Sequence, residues 1–216
     1  MIPDWPSERR QMVERQLRRR SIRDECVLQA ALEIPREEFV PIESRVLSYR
    51  DDPVPIGFGQ TISQPYITAL MAECLELRGS ETVLDVGAGS GYSAALLGAL
   101  AARVFAIELI PALAAQARKN LERAGCGGNV VIIAGDGSLG YPQFAPYDAI
   151  SVAAGAPDVP PALFEQLRDP GRLVIPVGPM ADQELRVVSK RDGQIESRVV
   201  TLCRFVPLRG MQGWQS

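Results

Sequence analysis

From residue 81 onward the chain alternates short apolar runs with helical patterns: TVLDV, SAALLGALA, VFAIEL, PALAAQARKNLERAG, NVVIIAG, YDAISVAAG, PALFEQL and RLVIPVG follow one another in that order. The strand-like runs are nearly continuous in apolar residues, as strands buried on both faces must be, and the helices between them supply the crossovers that parallel strands require. The pattern predicts an α/β fold with a doubly wound, mostly parallel sheet. The segment that follows, ELRVVSKRDGQIESRVVTLCRFVPL, instead reads as two strands around Asp192-Gly193, a hairpin turn pair, and predicts an antiparallel C-terminal edge. At 216 residues, 46% hydrophobic and 23% charged, the chain can bury a sizeable core as a single domain. Residues 1–80 then form an N-terminal helical and loop extension, 81–178 the ligand-binding core, and 179–216 the edge strands and tail.

The extension opens with a helical pattern from Ser7 to about Arg20, with Met12, Val13 and Leu17 on one side. Its arginines (Arg9, Arg10, Arg15, Arg18, Arg19, Arg20 and, just beyond, Arg23) could meet phosphates or form a solvated face; Glu8, Glu14, Asp24 and Glu25 interrupt them and favour the second reading. A second helix is predicted from Asp24 to Ile34, stopped by Pro35. Residues 35–65 are rich in proline and glycine and predict an ordered loop with short strands, after which Pro65 begins another helix.

The glycine-rich turn Gly87-Ala88-Gly89-Ser90-Gly91 sits between a buried strand and a helix, where ligands bind in a doubly wound sheet. A dinucleotide fingerprint needs glycine at 92, and Tyr92 stands there. Glu108 closes the second strand, 21 residues after Gly87, at the position where an acid accepts ribose hydroxyls. Asp136 closes the third strand beside Gly137, within reach of an adenine amino group; either acid could instead cap a turn. A mouth holding Asp85, Glu108 and Asp136 suits a cationic ligand better than a pyrophosphate. S-adenosyl-L-methionine combines a nucleoside, a sulfonium and an amino acid tail with no phosphate, so the expected fold is that of a Rossmann-like methyltransferase.

The sequence contains no histidine, which excludes imidazole as a general base and with it Ser-His-Asp and Cys-His pairs and the HExxH zinc site. The four cysteines are scattered and imply neither a metal site nor a disulfide scaffold. A carboxylate acceptor is almost fully ionised at neutral pH and needs no base. Carboxyl methylation therefore fits the composition. The segment Ser151-Val152-Ala153-Ala154 lacks the Asn/Asp-Pro-Pro-aromatic pattern of base methyltransferases, and the net charge of -3 gives no basic field, so nucleic acid is not expected as a partner. No signal peptide or membrane span is apparent, and a cytoplasmic monomer is expected.

PREEFVP (35–41), IGFGQTISQP (56–65), VLDVGAGSGY (83–92), GDG (135–137), PYDAI (146–150), GRLVIPVG (171–178) and FVPL (205–208) together make the chain resemble the protein-L-isoaspartate O-methyltransferase family. The GQTISQP block is the distinctive part. The resemblance implies repair methylation of the free α-carboxylate of L-isoaspartyl residues in damaged proteins and peptides, with D-aspartyl residues left open as a second substrate and S-adenosyl-L-homocysteine as product. It implies Ser63 as the active-site residue that orients the carboxylate, and Val206 as a source of backbone groups for the substrate. Gln60, Thr61 and Ile62 would line the cofactor edge, and Ser90 with Gly87 and Gly89 the methionine tail. Glu108 would take the ribose, and Asp136 with Gly137 the adenine. The rival within enzymes is methylation of a small carboxylic acid. Asp169-Pro170-Gly171 stands where the family has Pro-Gly-Gly, so a different turn is expected there.

Overall fold

The structure, a computed structural model, describes residues 3–214; Met1, Ile2, Gln215 and Ser216 lie outside the described residues. Helix α1 (Trp5–Met12) starts where the Asp4 side chain accepts the Ser7 N–H at 3.3 Å. It does not continue as the regular helix expected to residue 20. A π-turn over Val13–Leu17 and a 3₁₀ turn over Arg18–Arg20 complete it, and Ser21 ends it at φ 73°. The wider turn lets Met12, Val13 and Leu17 all enter the core. Helix α2 (Glu25–Glu33) is capped by Asp24, which accepts from the Cys26 and Val27 N–H groups. The arginines divide: Arg9 binds the Tyr49 hydroxyl and Glu37, Arg20 pairs with Asp51 beneath Tyr66, and Arg18 pairs with Glu14 and Glu25. Several thus fasten the extension rather than await a ligand.

Two 3₁₀ turns, Arg36–Phe39 and Ile42–Leu47, lead to a small antiparallel hairpin of β1 (Val54–Gly57) and β2 (Gln60–Ile62), then to α3 (Pro65–Leu75). The main sheet contains β3 (Thr82–Val86), β4 (Arg103–Glu108), β5 (Val130–Ala134), β6 (Tyr147–Val152), β7 (Leu167–Val177), β8 (Gln183–Arg191) and β9 (Gln194–Cys203). Their order is β5-β4-β3-β6-β7-β8-β9. The first five are mutually parallel, and β8 and β9 add antiparallel as a hairpin turning at Asp192-Gly193. Helices α4 (Tyr92–Leu100), α5 (Pro111–Arg123) and the short α6 (Pro161–Glu165) make the crossovers.

Strand periodicity splits the core. Val83, Val104, Ala106, Ala149 and Val174 pack with helices α1 to α5, whereas Leu84, Phe105, Ile107, Ile150 and Leu173 form the opposite layer with α6 and the 3₁₀ loops. Strand β7 starts at Leu167, before the run read from the sequence, so Pro170 lies inside it. The Asp169 carboxylate accepts the Asp192 and Gly193 N–H groups at 2.8 and 2.7 Å, which gives the departure from Pro-Gly-Gly a physical reason: it holds the β8–β9 turn. The chain leaves β3 for β4 on one side and returns through β6 on the other, which opens a crevice at the carboxyl ends of β3 and β6.

Candidate active site at the strand carboxyl ends

The glycine turn rises from β3 into this crevice. Gly87, Gly89 and Gly91 have φ of 87°, 54° and 91°, a region that side chains rarely tolerate. The Gly87 and Ala88 N–H groups both donate to the Ile107 carbonyl, at 2.8 and 3.0 Å, fastening the turn to β4. Tyr92 replaces the glycine of a dinucleotide fingerprint because its ring fills the core, edge-on to Phe39 at 5.6 Å and under the Arg36 guanidinium at 4.7 Å.

Three recesses meet around Thr61 and Ala153. The first, beneath the turn, is lined by Thr61, Ile62, Ser63, Gly87, Gly89, Ser90, Tyr92, Ser93 and Ser151 among others. The second contains Gln60, Glu108, Ile110, Gly137 and Val206 with Gly87 and Gly89. The third, of about 340 Å³, contains Ser63, Gln64, Ile67, Leu202, Phe205 and Val206. The structure thus brings together Gln60, Thr61, Ile62, Ser63, Gly87, Gly89, Ser90, Glu108, Gly137 and Val206, from elements more than a hundred residues apart.

Glu108 is 6% exposed, and its oxygens accept the Gly89 N–H at 2.8 Å and the Ile110 N–H at 2.9 Å. Each oxygen keeps a lone pair for a hydroxyl. Asp85 lies behind the wall, fully buried, and not in the mouth where the sequence reading put it. Its Oδ1 accepts from Ser93 Oγ at 3.2 Å, and its Oδ2 has no partner among the described residues. Burial pushes its pKa up to about 7, opposed by the Ser93 hydrogen bond and the nearby Ser151 hydroxyl and reinforced by the charge of Glu108. Asp136 also stays out of the recesses. It caps the Gly137–Leu139 turn, accepts the Ser138 N–H and hydroxyl at 2.9 and 2.6 Å, and holds the C-terminal tail through the Met211 N–H at 2.8 Å.

Ser63 follows β2 and precedes the start of α3 at Pro65; its hydroxyl makes no hydrogen bond among the described residues. The Val206 carbonyl accepts the Gly155 N–H at 2.8 Å. Ala153, one residue past β6, and Arg209 both line the second recess and were not among the site residues expected from the sequence. The place of Ala153 was findable, since it follows the strand next to the glycine turn. The residues suit S-adenosyl-L-methionine: a buried carboxylate behind a glycine cradle with one oxygen unpartnered among the described residues, and a second carboxylate with free lone pairs at its rim.

A family model described as protein-L-isoaspartate(D-aspartate) O-methyltransferase matches residues 7–213. A relative from Marinobacter nauticus named protein-L-isoaspartate O-methyltransferase 2 is 56% identical, over 98% of this chain and 97% of its own. A solved protein-L-isoaspartate O-methyltransferase superposes with a TM-score of 0.84 at 31% identity, covering 95% of this chain and 67% of that one. A Plasmodium falciparum structure described as a protein-L-isoaspartate O-methyltransferase in complex with S-adenosyl-L-homocysteine gives a TM-score of 0.79 at 27% identity, covering 96% and 99%.

Proposed function

The chain belongs to the protein-L-isoaspartate(D-aspartate) O-methyltransferase family, and from that premise we propose which of its residues perform the reaction. Its activity is repair methylation, the transfer of a methyl group from S-adenosyl-L-methionine to the free α-carboxylate of L-isoaspartyl residues in damaged proteins. When bound, the cofactor supplies an electrophilic methyl on a positively charged sulfur.

The rest of the chemistry is positioning. Glu108 takes the ribose hydroxyls with the lone pairs left after binding the Gly89 and Ile110 N–H groups. Gly87, Gly89 and Ser90 cradle the amino acid tail, Gln60, Thr61 and Ile62 line the edge, and Gly137 lines the adenine end, held by Asp136. Asp85 supplies negative charge from behind through Ser93. The Ser63 hydroxyl donates to the acceptor carboxylate and aims it, and Val206 offers its N–H to the acceptor backbone, its carbonyl being engaged by Gly155. The acceptor oxygen is already an anion, so no group need remove a proton. Holding the reacting atoms in line can contribute about 7–11 kcal/mol.

One observation carries these assignments: Ser63 and Val206 share a recess that opens, at Thr61 and Ala153, onto the glycine turn. The same reading makes the chain one methyltransferase unit, with residues 1–80 and 179–216 built around the core, working as a cytosolic monomer. No helix among the described residues is long and apolar enough to cross a membrane, which is compatible with it. The test compares methyl transfer to an isoaspartyl peptide, its normal aspartyl twin and free small acids. Equal rates on the twin would end the repair reading, and loss of activity in Ser63→Ala with S-adenosylhomocysteine binding retained would support the role of Ser63.

A further inference from the structure

Arg36 is fully buried, yet it has no salt bridge among the described residues. Its Nε donates to the Ser48 carbonyl at 2.7 Å, its Nη2 donates to the Ser63 carbonyl at 2.6 Å, and its Nη1 has no partner among the described residues. The guanidinium lies 4.7 Å from the centre of the Tyr92 ring. Taking a cation out of water without a counterion costs several kcal/mol, and an apolar side chain of similar volume would fill the same space without that cost. What an apolar residue cannot do is hold two carbonyls at a fixed separation. The planar fork of a guanidinium can.

We infer that Arg36 is a positioning residue for the methyl acceptor, acting through the backbone of Ser63. It does not line the recesses itself. Ser63 is a single residue between the last residue of β2 and Gln64 at the head of α3, with no ladder or helical bond of its own to fix its carbonyl. The Nη2 bond sets the direction of that carbonyl, and with both flanking elements anchored this sets the direction of the Cα–Cβ bond and hence of the hydroxyl. The Nε bond ties the same fork to Ser48, at the end of the 3₁₀ turn Ile42–Leu47, so three segments of the 35–65 loop share one reference point. Tyr92, the first residue of α4, floors the recess beneath the glycine turn and holds the fork from the other side.

The inference rests on the proposed role of Ser63, and a double-mutant cycle separates the two. Wild type, Ser63→Ala, Arg36→Lys and the double variant are compared for isoaspartyl-peptide methylation, for S-adenosylhomocysteine affinity by calorimetry and for melting temperature. Lys keeps the charge and loses the fork. Arg36→Lys is expected to lower kcat/KM for the peptide about tenfold or more, with S-adenosylhomocysteine affinity within about twofold of wild type, and to add less than about threefold in the Ser63→Ala background. Equal cost in both backgrounds, or parallel loss of S-adenosylhomocysteine affinity, would overturn it in favour of a general support of the fold. Full activity in Arg36→Lys beside an impaired Ser63→Ala overturns this inference alone. An unimpaired Ser63→Ala removes the role of Ser63 and the inference with it. Arg36→Gln, neutral and shorter, is read in the same cycle if the lysine variant does not fold.

Discussion

Asp85 offers a test in which charge can be separated from shape. Its carboxyl is fully buried, one oxygen has no partner among the described residues, and its pKa is raised from 3.8 to about 7. A rise of roughly three units, at about 1.4 kcal/mol each, makes the ionised form cost on the order of 4 kcal/mol in the ligand-free enzyme. Because the folded value is raised, the folded protein keeps its proton between about pH 4 and 7 while the unfolded chain has released it. The group's contribution is therefore complete below about pH 4 and is lost as pH rises through about 7. Asp85→Asn keeps the shape and the acceptor for Ser93 but puts an unpartnered amide where Oδ2 lies, at about 1–3 kcal/mol. We predict that the variant is the more stable protein at pH 8 by ~2 kcal/mol, or ~4–8 °C in melting temperature, and the less stable by ~2 kcal/mol at pH 4, where the amide cost remains and the charge cost does not. Urea unfolding followed by the fluorescence of Trp5 and Trp214 at the two pH values measures it. The same change removes a negative charge set one hydroxyl layer behind the cationic ligand, so S-adenosyl-L-methionine affinity at pH 8 falls about tenfold or more. A variant less stable than wild type at pH 8, or a difference that ignores pH, would refute the reading of Asp85 as a buried charge kept for a ligand.

Glu108→Gln presents an amide where a carboxylate accepts two backbone N–H groups, and is expected to weaken S-adenosylhomocysteine about 10- to 100-fold in a calorimetric titration; unchanged affinity would reduce Glu108 to a turn fastener. Gly210→Ala drives a methyl into Asp136 Oδ1 at a φ of 142°, so the tail should leave Asp136 and Arg209 should be cut faster by trypsin. An unaltered digestion pattern counts against that clamp. Asp169→Ala strips the β8–β9 turn of two acceptors and should lower urea stability by ~1 kcal/mol, with turnover on an isoaspartyl peptide unaffected.

What could be read in the sequence was what depends on neighbours in the chain. The continuous apolar runs gave the strands, the glycine spacing gave the turn, and Asp192-Gly193 gave the hairpin, because each follows from local backbone and burial rules. What could not be read depends on partners far along the chain. Asp85 and Glu108 have the same sequence signature, an acid at or near a strand end, yet one is sealed behind Ser93 and Ser151 while the other sits at the rim. Asp136 was legible as an acid after β5, but its commitment to Met211 lies 75 residues away. Nothing in the PREEFVP segment marks Arg36 as buried, which depends on Ser48, Ser63 and Tyr92 assembling around it. Hydrophobic periodicity carries no information on a buried charge, since burial of that kind is decided entirely by tertiary partners.

Two of these charges carry the proposed account of the site. Arg36 and Asp85 are both fully buried, of opposite sign, and neither has an ion pair among the described residues. A protein built only for stability would pair such groups or replace them with apolar side chains of similar size. Here each stands one layer behind the recess, Arg36 through Ser63 and Tyr92, Asp85 through Ser93 and Ser151. The reaction joins an anionic oxygen to a methyl carried on a cation, and charge is lost from both reactants as the bond forms. Direct pairing of either reactant with a full opposite charge would stabilise the ground state more than the transition state and slow the transfer. Charges set back behind a hydroxyl layer hold the geometry of that layer while leaving the reactants' own attraction to each other unspent. A chain without histidine can therefore carry out this transfer by orientation alone, and the folding cost of two unpaired charges marks where that orientation is fixed.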